Sequence, residues 1–123
     1  MSDIRALGYR RVEFMAAAQA ARAAALAAGN DYLAKHVGDR GTCNFDKCAV
    51  DVRELGASEA MLKGLLHHGQ LQGNYRSSGM WEGSMLISPP MGAQAGLRTV
   101  QAEAMTAAFK AAGFKATTYY QMD

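Results

Sequence analysis

The segment GTCNFDKCAVDV, residues 41–52, brings two thiols, two carboxylates and an amine close together, and His67 and His68 follow it. Thiolates and imidazoles bind zinc, and a thiol beside an imidazole base can act as a nucleophile. Cys43 and Cys48 are separated by an odd number of positions, so on a strand their side chains point to opposite faces. The two adjacent histidines diverge on a helix as well. We therefore expect ordinary thiols of a reducing compartment and no metal site.

The carboxylates show no spacing that is typical of a general acid and its base. Cys48 and His67 form a nucleophile and a base only if folding brings them together. The sequence therefore favours a protein that is not an enzyme and needs no cofactor, and a small enzyme or metal protein ranks third among the functions. The carboxylates considered are Asp46, Asp51, Glu54, Glu59 and Glu82.

The segment MGAQAGLRT, residues 91–99, contains two glycines and lies between a predicted strand and a predicted helix. Such a loop can bind phosphate through the backbone amides of the helix N-terminus. Three residues separate Gly92 from Gly96, one fewer than in the P-loop pattern, and the lysine of that pattern is absent. Two interpretations stay open: an anion site that includes Arg98, or a flexible connection with Arg98 at a solvated helix start.

Aromatic and basic side chains recur on the predicted strands. RNA-binding sheets stack bases on aromatic residues of two central strands, which Phe45 and Trp81 would occupy. However, MWEGSMLI, residues 80–87, lacks the basic-glycine-aromatic signature of such domains. In the alternative interpretation, Phe45 packs under the alanine-rich helix and Trp81 lies at a sheet end. The candidate interaction surface comprises Phe45, Lys47, Tyr75, Arg76, Trp81, Arg98 and Tyr119.

The periodicity predicts one long helix followed by alternating strands and helices. Alanine, the strongest helix former, fills most positions from Ala16 to Ala28. After this helix the order is βαββαβ, which is the ferredoxin-like arrangement, here with an added N-terminal helix. The predicted ranges are helix 10–37, strand 43–52, helix 58–67, strands 71–76 and 80–88, helix 94–112 and strand 114–122.

The predicted fold is thus α+β, in a single domain of residues 1–123 whose βαββαβ unit spans 42–122. Its first and third strands are central, and its two helices cover one face of an antiparallel sheet. The apolar stripes predict which helix faces are buried. These stripes are Phe14, Ala18, Ala21, Ala25 and Ala28 in the first helix, Met61, Leu65 and His68 in the second, and Leu97, Val100, Ala104, Ala108 and Ala111 in the third.

Composition limits the classes of function. The chain has 123 residues, 50% of them hydrophobic, and a net charge of +2. Charges of both signs are spread evenly, whereas a dedicated duplex binder usually has a clustered basic face. No apolar run reaches the roughly 20 residues that span a bilayer. We expect no membrane partner and a cytoplasmic location in a host cell.

Three segments resemble small phage or prophage-encoded proteins of undescribed function: GTCNFD (41–46), GAQAGLRTVQAEAM (92–105) and AAGFKATTYYQMD (111–123). Compact phage proteins without an active-site motif are often binders that block a host component, and counter-defence inhibitors such as anti-CRISPR proteins are one class. The resemblance therefore implies an inhibitor. The slightly basic charge argues against a mimic of DNA and favours binding to a protein surface.

Two main functions follow. The leading hypothesis is a non-enzymatic protein-binding module that inhibits a host nucleic-acid-handling or defence complex, either a protein or a ribonucleoprotein. The alternative is a single-stranded nucleic-acid binder that uses the open sheet face around Phe45 and Trp81. The first helix separates them, because a helix lying over that face removes the stacking surface. If it packs elsewhere, or pairs with its copy in a homodimer, the surface survives.

Overall fold

The computed structural model describes residues 4–37, 44–91 and 95–121. Cys43, Gly92 and the predicted turn at 38–42 lie outside these residues. The order of elements is the predicted one, and each strand is shorter than predicted. The elements are α1 (Ile4–Lys35), β1 (Lys47–Asp51), a 3₁₀ turn (Arg53–Leu55), α2 (Glu59–His68), β2 (Gly73–Tyr75), β3 (Ser84–Ile87), α3 (Ala95–Ala111) and β4 (Ala116–Tyr119).

The four strands form one antiparallel sheet in the order β2-β3-β1-β4. β1 aligns with β3 so that Cys48 lies opposite Ile87, and it aligns with β4 so that Cys48 lies opposite Thr118. β1 and β3 are therefore central, as predicted, and β2 and β4 are the edges. Because side chains alternate along a strand, this register assigns each residue to one of two sheet faces.

The long first helix continues through Gly29 rather than ending there. A Cβ at this position would collide with the Met91 sulfur and contact Gln101 and Leu97 of α3. The glycine therefore allows α1 and α3 to approach closely instead of breaking the helix. An ion pair of 3.1 Å between Lys35 and Asp31 adds local support to the last turn.

The predicted small-residue stripe of α1 is buried within the chain. Phe14, Ala18, Ala21 and Ala25 are fully buried, and Ala28 is half-buried. Most of the contacts of α1 are with α3. This stripe is therefore occupied inside the monomer and does not offer a seam for a homodimer.

The short helix α2 begins as predicted and buries a different face. Ser58 caps it, because the Ser58 hydroxyl accepts a hydrogen bond of 3.2 Å from the Met61 backbone amide. Leu62 and Leu66 are its fully buried side chains, while Met61 is exposed. The predicted stripe was rotated by about one position, because the two leucines that point to the core outweigh an adaptable methionine.

The buried face of α3 also differs from the prediction. Its buried residues are Gln101, Ala102, Met105, Thr106 and Phe109, whereas the predicted Ala111 is exposed. Alanines occur all around this helix, so they do not define a face. The large Met105 and Phe109 side chains do, because they carry far more apolar area into the core.

Phenylalanine rings form the centre of the helical layer. The Phe14 ring from α1 lies 5.7 Å from Phe109 and 5.6 Å from Phe114, measured between centroids. The Arg10 guanidinium covers the Phe114 ring at 4.2 Å. Tilted and edge-on arrangements of this kind are favourable for aromatic rings. They join the long helix to both ends of the α3–β4 connection.

Candidate functional site

All three helices of the described chain lie on the same side of the sheet. The buried residues of α1, α2 and α3 form one core with Cys48, Val50, Met85 and Ile87, which share a sheet face in the register of β1 and β3. The alanine-rich helix packs on α3 and α2, not on the second face. We call this second face the open face, since no helix of the described residues covers it.

The register brings together on the open face most of the predicted interaction residues. Lys47 lies opposite Tyr119 of β4, and Arg76 follows β2 at the position across from Ser84. Phe45 precedes Lys47 by two positions, so it points to the same side. We define the open-face cluster as Phe45, Lys47, Arg76, Trp81 and Tyr119, together with Arg98, which belongs to the first turn of α3.

Trp81 reaches this cluster from a turn, whereas the sequence had placed it on a strand. It lies before β3, and its ring packs edge-on against Tyr119 at 5.3 Å between centroids. Gly83 makes the turn possible, because its φ is +82° and a Cβ there would collide with the Arg53 side chain. The tryptophan is thereby folded back toward β4.

The middle of the open face is buried, although no described helix lies over it. Ala49 is only 3% exposed and Leu86 only 1%, and they lie opposite each other on this face. Trp81 and Lys47 are half-buried. The open face is therefore a closed apolar floor with a polar and aromatic upper layer.

Positive charges converge on this layer. Burial and the neighbouring Arg98 and Arg76 guanidinium groups lower the pKa of Lys47 from its ordinary value. Arg98 donates a hydrogen bond of 2.8 Å from Nε to the Asp46 carbonyl oxygen, which fixes it beside β1. Like charges held together in this way favour binding of an anion. We call Lys47, Arg76 and Arg98 the cation trio.

Phe45 is the exposed phenylalanine of the described chain. Its side chain is 42% exposed, whereas Phe14, Phe109 and Phe114 are at most 4% exposed. Its backbone amide donates a hydrogen bond of 2.6 Å to the carbonyl oxygen of Gln121, which follows β4. This bond fixes the backbone at Phe45. The interpretation that Phe45 packs under the alanine-rich helix is wrong, because that helix lies on the opposite side of the sheet.

Tyr75 is the predicted surface residue that the fold takes elsewhere. It lies opposite Met85 and packs, partly buried, against the helical core. The alternation along β2 explains this, since Arg76 and Tyr75 are adjacent and must point to opposite faces. Tyr75 therefore supports the core and not the open-face cluster.

A polar cluster that sequence reasoning missed holds Arg98 in place. The buried Asp46 carboxylate accepts hydrogen bonds from the Thr99 hydroxyl at 2.7 Å and from the Gln121 amide at 2.8 Å. Asn44 donates from Nδ2 to the Ala95 carbonyl oxygen at 2.8 Å. The signal was the alternation Asn44-Phe45-Asp46, with two polar side chains on one side of an aromatic one. The start of α3 is thus fastened to β1 and β4.

Cys48 is a core thiol. It is fully buried, and burial raises its pKa to about 12, which suppresses the nucleophilic thiolate at neutral pH. His67 and His68 are exposed on α2. Within residues 4–37, 44–91 and 95–121, no group of three or more histidine, cysteine or acidic side chains is placed to hold a metal ion.

In the part of the chain that is described, none of the helices has the length and apolar character required to cross a membrane. Comparison of the sequence and structure with protein-family models, with curated proteins and with solved structures gives no match. The functional argument therefore depends on the open face itself.

Proposed function

We propose that the protein is a non-enzymatic binding module that attaches to a host nucleic-acid-handling complex through the open-face cluster and inhibits it by occupying that site. The observation that supports this most directly is the placement of all described helices on one sheet face. It leaves the other face, with its cation trio and aromatic rings, available to a partner.

The charge of the surface matches the partner class. Complexes that handle nucleic acids present phosphate or acidic protein surfaces, and a cationic patch of this kind steers toward them. The resemblance to phage proteins supplies the inhibitory role, for which the anti-CRISPR class is the model. Such an inhibitor acts in the cytoplasm of the host cell.

We also infer that the βαββαβ unit is a ferredoxin-like domain. The strand order β2-β3-β1-β4 with antiparallel neighbours supports this arrangement, as does the position of α2 and α3 on one face. In this interpretation α1 is an addition that thickens the helical side. The addition strengthens the scaffold and leaves the binding face unchanged.

A matched pair of variants tests the proposal. The open-face variant carries Lys47→Met and Arg76→Met, and the control carries Lys63→Met and Lys110→Met on the helical side, so both lose two positive charges. Tagged proteins are incubated with host lysate, and the bound components are identified by mass spectrometry. We expect the wild type and the control to retain a stoichiometric complex that the open-face variant loses. Equal retention by all three proteins would refute the proposal.

A further inference from the structure

We propose that the open-face cluster binds a single nucleic-acid strand, with a base stacked on Phe45 and phosphates held by the cation trio. This inference rests on the proposed function and names the part of the host complex that the surface contacts. Its basis is the exposed Phe45 ring, which is followed two residues later by Lys47 on the open face, with Arg98 of α3 bonded to the Asp46 carbonyl oxygen between them.

Phe45 is the ring that is suited to stacking. Trp81 and Tyr119 are engaged with each other edge-on and are both half-buried, so they serve mainly as a wall. Phe45 lies outside this pair with 42% of its surface exposed. A base that stacks on this ring removes apolar area from water. The cost in rearrangement is small, because the backbone on both sides of Phe45 is already fixed.

The cation trio lies within reach of the same strand. Lys47 is two residues beyond Phe45 on the same side of β1, a separation of about 7 Å along an extended chain. This is close to the spacing between a base and the phosphates that flank it in an extended nucleic-acid strand. Arg98 is fixed beside Lys47 through the Asp46 carbonyl oxygen.

A single strand fits better than a duplex or an acidic peptide. In a duplex the base faces are stacked inside the helix and cannot reach Phe45, whereas an unpaired base can be splayed onto a ring. An acidic peptide would satisfy the cations and leave the phenyl ring exposed to water. The combination of ring and cations is therefore the feature that selects a single strand.

Fluorescence anisotropy with a labelled oligothymidylate of about ten nucleotides measures this binding directly. We expect Phe45→Leu to weaken binding by about 5- to 100-fold, the range found for lost base stacking, and Phe45→Tyr to restore it. Lys47→Met should weaken binding and reduce the dependence on salt, while Lys110→Met should change neither. Log affinity should fall with log salt with a slope of about −2, as expected for three phosphate contacts to a single strand.

Three competitors separate the alternatives: the unlabelled oligonucleotide, the same sequence as a duplex, and polyglutamate. Competition by the single strand alone supports the inference. Stronger competition by the duplex or by polyglutamate would overturn it, as would a Phe45→Leu protein that binds normally. Circular dichroism of each variant verifies that the fold is retained.

Nuclease treatment of the lysate complex distinguishes failure of this inference from failure of the proposed function. A partner that is lost from the open-face variant but survives nuclease, with no oligonucleotide binding, refutes the nucleic-acid inference and leaves the binding module in place. A partner that the open-face variant retains refutes both. Release of the partner by nuclease, together with Phe45-dependent binding, supports both.

Discussion

The two faces of the sheet are built by different means. On the helical side, three helices press phenylalanine, leucine and methionine side chains onto the central strands, and the rings of Phe14, Phe109 and Phe114 contact one another. On the open face, Ala49 and Leu86 are buried although none of the described helices lies over them. The first face is a conventional hydrophobic core, and the second carries aromatic and charged side chains at the surface.

The difference separates stability from recognition. Polar groups on the helical side are satisfied inside the fold, as in the hydrogen bond of 2.8 Å between Thr106 and Thr118. On the open face, burial and the neighbouring Arg98 and Arg76 side chains lower the pKa of Lys47, as expected for like charges in proximity.

The same substitution on the two faces should have very different effects, and this is the largest effect we predict. Phe14→Ala removes a fully buried ring and should lower the free energy of unfolding by about 3–5 kcal/mol. Phe45→Ala removes a ring that is 42% exposed and should change it by about 1 kcal/mol or less. Urea denaturation followed by circular dichroism measures both values.

Similar losses for Phe14→Ala and Phe45→Ala would contradict the division between core and surface. A large loss for Phe45→Ala alone would show that the open face is a second core, and the binding proposal would lose its surface. Leu66→Ala, at another fully buried position of the helical side, serves as a positive control with an expected loss of about 2–5 kcal/mol.

The prediction of intermediate size concerns two glycines of the turn that contains Trp81. Gly83 and Gly79 have φ values of +82° and +86°, so an alanine at either one is strained by about 1–2 kcal/mol. A Cβ at Gly83 would also displace the Arg53 side chain, whereas the space beside Gly79 is empty. Gly83→Ala should therefore cost more than Gly79→Ala in urea denaturation.

Trp81 fluorescence gives this comparison a second readout. Gly83→Ala should shift the emission of the single tryptophan to longer wavelength, because the turn no longer holds it against Tyr119. Gly79→Ala should leave the emission unchanged. Identical spectra for the two variants would indicate that the turn does not control the position of Trp81.

Some features of the fold could be predicted from the sequence, and others could not. The alternation of elements and the cap at Ser58 were predicted correctly, because local chemistry determines them, and the central positions of β1 and β3 followed from the order of elements. The buried faces of α2 and α3 were not, since alanine fits on any face of a helix and the choice is made by packing. Met105 and Phe109 were the informative residues, and their size was the signal.

The fold brings together only part of the predicted interaction surface. Lys47, Arg76 and Tyr119 meet on one face because strand register aligns them, which is a long-range property. Trp81 was placed on a strand, but the positive φ of Gly83 returns it from a turn. The buried role of Asp46 was missed, because nothing local indicates that its partners come from α3 and β4.

The smallest effect we predict concerns Asp51, which lies on the open face opposite Ser84. The Arg53 side chain, which donates to Asp51 at 2.7 Å and 3.2 Å, lowers the pKa of that carboxyl below its ordinary value. A carboxyl whose pKa is lower in the folded state stabilises the fold above its unfolded pKa of about 3.9. That contribution disappears as the pH falls through the folded value. Asp51→Asn should therefore lower the urea midpoint slightly at neutral pH.

The difference between Asp51→Asn and the wild type should shrink toward zero as the pH falls below about 4. The effect is small because the Arg53 side chain is largely exposed and surface ion pairs are weakened by solvent. Added salt should reduce it further at neutral pH. A difference that grows on acidification would mean that the carboxylate is destabilising in the folded state.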